Sequence, residues 1–196
     1  MAKTSPKKNP VKSKSKPTSY TTLDFTPGFW GKRWKEALII PLLAFALYWM
    51  CLPYGYVLDD QIVITDNKFT QKGVDGIWEI LSTESFTGYF GGQKDLVAGA
   101  RYRPLSIVTF AVEQTVFGDN TFIRHFINIL LYGLCGLLIF RIFSILLPEK
   151  QNTPWLLSIP FLAVVLYILH PVHSEVVANI KGRDELLCCL FGLAGT

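Results

Sequence analysis

The sequence predicts an all-α, multi-span integral membrane protein, and three observations predict it. Half of the 196 residues are hydrophobic and only 17% are charged, a balance beyond what one soluble core would hold. An uncharged run from Ala37 to Leu58 exceeds the ~20 residues a helix needs to cross a bilayer. A second apolar stretch, Phe126 to Leu147, carries Arg141 as its one charge and is also long enough. The net charge of +4 gathers in the amino-terminal region, so it bears on membrane orientation rather than on nucleic-acid binding. Cys51, Cys135, Cys188 and Cys189 lie in apolar segments without CxxC spacing and read as small hydrophobes rather than a disulfide framework.

Residues 1–26 form a basic tail on the cytoplasmic side. Its Lys3, Lys7, Lys8, Lys12, Lys14 and Lys16 are mixed with Pro, Ser and Thr, a composition that cannot offset its own ordering entropy. The tail either sets topology or binds anionic lipid. A membrane domain is expected from 27 to 196. Phe29, Trp30 and Trp34 alternate with Lys32, Arg33 and Lys35, the aromatic and basic mixture of a cytoplasmic interface. The first span is expected over about 36–54, with Pro41 tolerated as a first-turn residue, and later spans over about 122–147 and 155–171. A fourth is expected to start near 184. The apolar run at the carboxy end has no polar close, which gives the expectation of a truncated chain.

This order places the loop at 55–121 and the segment 170–185 outside, with residues 148–154 inside. Within the loop, Val74, Ile77, Trp78 and Leu81 recur at i, i+3, i+4 and i+7, an amphipathic helix for a membrane surface or for neighbouring protein. Residues 103–117 read as a short interfacial helix. Gly88, Gly91 and Gly92 read as a flexible turn without the spacing of a phosphate loop.

Three constellations carry chemistry. Asp59 and Asp60 follow the first apolar run, and acids so close to lipid are read as functional unless they only mark the water boundary. Adjacent side chains diverge, so one acid faces a site while the other orients a backbone amide, binds a cation or holds a basic neighbour. In Arg101-Tyr102-Arg103-Pro104, proline fits a first helical position and sets Arg103 beside unpaired amides, an anion pocket or an interfacial anchor. His170 and His173 with Glu175 suit metal binding or proton movement. They lack HExxH spacing, and capping of the helix after Pro171 by His173 or Ser174 accounts for them as well.

The acidic pair, the Tyr102-Arg103-Pro104-Leu105 turn and the run from His170 to Leu187 (HPVHSEVVANIKGRDELL) together resemble one family. They are similar to the amino-terminal membrane part of the transmembrane and tetratricopeptide-repeat (TPR) O-mannosyltransferases and their bacterial relatives, members of the GT-C class of glycosyltransferases. The resemblance runs from about Pro27 to the end and leaves the basic tail unmatched. It implies more spans, carboxy-terminal helical repeats, and inverting transfer of a sugar, mannose by the family's name. It also implies a polyprenyl-phosphate sugar donor and, as acceptor, a protein Ser or Thr hydroxyl on the outer or luminal face. It implies Asp59 as general base beside Asp60, where many class members carry Glu. Arg103 is implied at the donor phosphate, with Arg101, His170, His173 and Arg183 as further donors. No cofactor is required by the resemblance, although a divalent cation is compatible with it. The membrane would be the bacterial inner membrane or the eukaryotic endoplasmic reticulum. A non-enzymatic membrane scaffold needs the spans but not the polar residues, and a transporter would show inverted repeats that this sequence lacks.

Overall fold

The computed structural model describes residues 28–92, 102–147 and 153–195. The basic tail, Arg101, Glu149 and Lys150 lie outside the described residues. Among the described residues every regular element is helical. In order these are α1 (Phe29–Lys32), α2 (Trp34–Tyr48), α3 (Lys68–Gln71), α4 (Ile77–Ser82) and α5 (Thr87–Phe90). There follow α6 (Pro104–Phe117), α7 (Thr121–Leu146), α8 (Ile159–Leu169), α9 (Ser174–Ala178) and α10 (Arg183–Ala194), with short 3-10 and π turns between them.

Trp34–Cys51 and Thr121–Leu146 are long and apolar enough to cross a membrane, and α8 with Pro171–Ala178 makes a third such stretch, bent by 51°. The chain is thus an integral membrane protein. Outward-facing Leu38, Leu42, Phe45 and Trp49 along Trp34–Cys51, Leu130 and Leu134 on α7, and Leu162 and Leu166 on α8 are exposed, as a lipid-facing surface requires.

Helix α2 begins at Trp34, earlier than expected, because Arg33 pairs with the buried Glu36 at 3.0 Å and steadies the first turn. Pro41 therefore sits in the helix interior rather than its first turn, an arrangement that membrane helices tolerate when neighbours pack closely. The neighbour is α7. A Cβ on Gly133 would lie 3.2 Å from Pro41 Cα, so the small residue lets the two backbones approach. Helix α7 is capped by Asn120, whose side-chain oxygen accepts from Ile123 N–H at 3.2 Å. Ile40, Ala44, Tyr48, Tyr132, Phe140, Val164, Ile168 and Leu186 form the core where α2, α7, α8 and α10 meet.

The loop after the first span is built on that bundle. Asn67 caps α3 by accepting from Phe69 and Thr70 N–H, and Thr70 Oγ1 donates to Val63 O at 2.8 Å. The amphipathic segment is split. Val74 lies in a 3-10 turn at Gly73–Gly76, and Ile77, Trp78 and Leu81 lie on α4. Ile80 is the residue it buries, against Ile107 and Ala111 of α6, while Val74, Trp78 and Leu81 remain exposed. The proposed flexible turn contains a helix instead, α5, with Gly91 at φ 72 closing it.

Candidate functional site

The two acids separate as their divergent side chains require. Asp60 is fully buried. Its Oδ2 accepts from Val57 N–H at 3.0 Å and its Oδ1 from Lys181 N–H at 2.8 Å. Burial pushes the Asp60 carboxyl up from its ordinary range, and those two amide bonds oppose the rise. Asp59 is 54% exposed at its side chain and pairs with Lys181 Nζ at 3.4 Å. One acid is thus a fastener between segments 121 residues apart, and its neighbour is an accessible carboxylate.

Leu58 enforces the split. Its φ of 42° is left-handed, a conformation that costs a non-glycine residue about 1–3 kcal/mol and tends to occur where surrounding structure over-determines it. Here the reversal lets Asp60 fold back beneath Val57. Tyr56, before it, donates to Asp119 and accepts from Arg124. Burial first, then the Asp119 bond, raises the Tyr56 phenol above its ordinary value.

Arg103 caps the start of α6, with Pro104 at the first helical position as expected. Its backbone N–H donates to Ser85 Oγ at 2.9 Å. Its guanidinium, half exposed, meets Asp184 Oδ2 at 2.5 Å, a contact that raises the Arg103 pKa. Asp184 lies in the first turn of α10, where negative charge is favoured by the helix dipole. Arg103 and Asp184 line a cavity of about 360 Å³ whose other walls include Leu105, Leu187, Cys188 and Phe191. A smaller pocket adjoins it, and there Arg103 and Asp184 are joined by Lys181, Ser85 and Ser106.

The turn carrying Lys181, Ile180–Gly182, is shaped by Gly182. A Cβ there would meet Val176 O at 2.2 Å, so only glycine lets the chain pass.

Arg183 is placed differently from the donor-phosphate ligand that the resemblance implied. It is fully buried and spends its N–H groups internally. Nε donates to Asn128 Oδ1 at 2.8 Å, Nη1 to Thr109 Oγ1 at 3.1 Å and to Glu113, and Nη2 to Arg124 O at 3.0 Å. Its guanidinium also lies 4.4 Å from the Phe110 ring centroid. Arg124, likewise buried, donates to Gln114 Oε1 at 2.7 Å and lies 3.8 Å from Glu113 Oε2. A phosphate would reach Arg183 only after these bonds were broken.

His170 and His173 are not brought to the acids. They line a separate cavity of about 510 Å³ with Ile139, Phe143, Leu166 and Tyr167. His173 lies 4.4 Å from the Tyr167 ring. His170 caps the turn Pro171–His173, its Nδ1 accepting from Val172 N–H at 3.2 Å, and His173 stands at the N-cap of α9 without a side-chain cap bond. Ser174 Oγ instead donates to Pro171 O at 2.7 Å.

Sequence reasoning missed Lys181, Asp184, Arg124 and Asn128 as members of the constellation. The last two carried a signal, since Arg124 and Asn128 sit four apart at the start of an apolar helix and so share a face. Lys181 and Asp184 lay within the quoted motif, but their pairing with Asp59 and Arg103 is long-range.

Comparison with known proteins adds the lineage. Protein O-mannosyl-transferase F38B6.6 of Caenorhabditis elegans is 30% identical over 162 residues, covering 82% of this chain and 22% of that protein. Protein O-mannosyl-transferase TMTC4 of Mus musculus is 30% identical over 178 residues, 85% of this chain and 22% of its own length. Protein O-mannosyl-transferase TMTC1 of Homo sapiens is 31% identical over 149 residues, 73% and 16% respectively. The chain thus spans about a fifth of the length of the curated relatives it matches. No family model and no solved structure matches it. By sequence, the chain is similar to protein O-mannosyl-transferases over most of its own length.

Proposed function

We propose that the chain supplies the donor and base site of an inverting glycosyltransferase. That enzyme moves mannose from a polyprenyl phosphate to a protein Ser or Thr hydroxyl on the outer or luminal face of its membrane. The supporting observation is the joint placement of Asp59, Lys181, Arg103 and Asp184. Lys181 contacts both acids and also lines the pocket that Arg103 and Asp184 share.

The cavity chemistry fits an amphipathic donor. Leu105, Leu187 and Phe191 offer an apolar wall while Arg103 stands at the charged side. A lipid phosphate has the same two halves. In the reaction the acceptor O–H bond breaks and its proton passes to the Asp59 carboxylate. The acceptor oxygen bonds the anomeric carbon from the face opposite the phosphate. The bond from that carbon to the phosphate oxygen breaks, and the electron pair leaves with the polyprenyl phosphate. General-base help of this kind contributes ~10²–10⁴-fold, and the leaving phosphate needs a cation. Arg103 is the residue for it, since one guanidinium N–H is held by Asp184 and the half-exposed remainder can turn its fork to phosphate oxygens. Arg183 acts here by holding α6, α7 and α10 together rather than by touching the donor.

Arg103→Lys is expected to raise the donor KM by about tenfold, because an ammonium keeps the charge but loses the planar fork. Initial rates of sugar transfer at varied donor concentration measure this in the full-length protein. A normal donor KM in Arg103→Lys would reduce Arg103 to an interfacial anchor.

A further inference from the structure

We propose that Lys181 is a second phosphate-binding cation, stored on the catalytic acid and released to the donor when it binds. The inference rests on the glycosyltransferase reading above and assigns its site a donor-triggered exchange of ion-pair partners.

The geometry supports the exchange at each step. Lys181 Nζ stands 3.4 Å from Asp59 Oδ2, longer than a tight charge-assisted bond of ~2.7–2.9 Å. Its backbone is fixed by contrast, since the N–H is held by Asp60 Oδ1 at 2.8 Å and by Asn179 Oδ1 at 3.2 Å. The turn beneath is fixed as well by the clearance that Gly182 requires. A flexible four-carbon stem therefore carries an ammonium from a rigid root, loosely paired at its tip. The same residue lines the small pocket with Arg103, Ser85 and Ser106. The ammonium can thus swing from Asp59 towards that pocket without any backbone change.

Each of the two cations already has an acidic partner, and Glu185 adds a further carboxylate to the wall of the larger cavity. Lys181 faces Asp59, and Arg103 faces Asp184. A lipid phosphate entering beside Arg103 adds negative charge next to the Asp184 and Glu185 carboxylates, and a mobile cation relieves that repulsion. When the ammonium turns to the phosphate, Asp59 loses its ion-pair partner and its carboxylate is open to the acceptor hydroxyl. No covalent bond changes in this step and the ammonium keeps its proton. The base is thereby freed of its ion pair once the donor is in place.

The test uses the full-length protein in liposomes, with polyprenyl phosphate and polyprenol as probes beside the transfer assay. Lys181→Met is expected to weaken polyprenyl phosphate binding about tenfold, the order of one charge-assisted bond. Polyprenol binding should be unchanged in the same variant, and Lys181→Arg should restore most of the phosphate affinity. Asp59→Asn, which removes the competing anion, should bind polyprenyl phosphate at least as tightly as the unmodified protein. Unchanged phosphate binding in Lys181→Met would overturn the exchange while leaving the glycosyltransferase reading standing. Weakening of phosphate and polyprenol alike would show a structural role for Lys181 and also overturn it. Absence of polyprenyl phosphate binding by the unmodified protein would overturn both readings together.

Discussion

Asp59→Asn is expected to lower sugar transfer by ~10²-fold or more in the full-length protein, with insertion and folding unchanged. The amide keeps the size of the side chain and removes its basicity. The carboxylate is 54% exposed at its side chain, and its ion-pair partner among the described residues is the tip of Lys181. Asp60→Asn is the contrasting variant. Both carboxylate oxygens of Asp60 accept backbone N–H groups, and an amide can accept at one of them only. The other amide would face an NH₂ group, at a cost of about 1–3 kcal/mol. The Asp60 variant should therefore lose stability, read as a lower thermal midpoint, with a smaller effect on transfer than Asp59→Asn. Transfer rates and melting curves on both variants separate base from fastener. Full activity in Asp59→Asn would remove the base role.

Arg183→Leu carries the largest expected effect on stability, a loss of about 3–5 kcal/mol. The leucine cannot replace the bonds that tie α10 to Asn128 and the Arg124 carbonyl on α7, and to Thr109 and Glu113 on α6. It also strands Glu113, whose carboxyl is pushed up by burial and pulled down chiefly by Arg183. Left with Arg124 alone at 3.8 Å, the buried carboxylate must then take up a proton or admit water. Glu113→Gln combined with Arg183→Leu should recover part of the loss, because removing both charges leaves no uncompensated ion. Thermal unfolding in detergent measures the three proteins. An unchanged midpoint for Arg183→Leu would show that the network is incidental to the packing of α6, α7 and α10.

The helical, membrane-embedded character was legible because it depends on composition and on apolar run length, both local properties. The start of α6 was equally legible, since Pro104 after Arg103 is a local signal for a first helical turn. Splitting the acid pair needed only the geometry of adjacent side chains. Which acid is buried was not legible, because it follows from a bond between Asp60 and the amide of Lys181, far along the chain. Arg183 illustrates the limit of motif reasoning. A motif fixes that an arginine is present, but four partners on α6 and α7 decide that it is enclosed. The histidines fail to join the acids for a related reason. The bend between α8 and the turn at Pro171–His173 turns them towards Ile139 and Phe143, and a bend angle is a tertiary outcome.

The most direct test of the central claim is sugar transfer by the purified full-length protein to a Ser/Thr peptide, with polyprenyl-phosphate mannose and a nucleotide-linked mannose offered separately. Transfer is expected from the lipid-linked donor alone, with inversion at the anomeric carbon and with loss of the product signal in Asp59→Asn. Transfer from the nucleotide-linked sugar, retention of configuration, or equal product from Asp59→Asn would contradict the account.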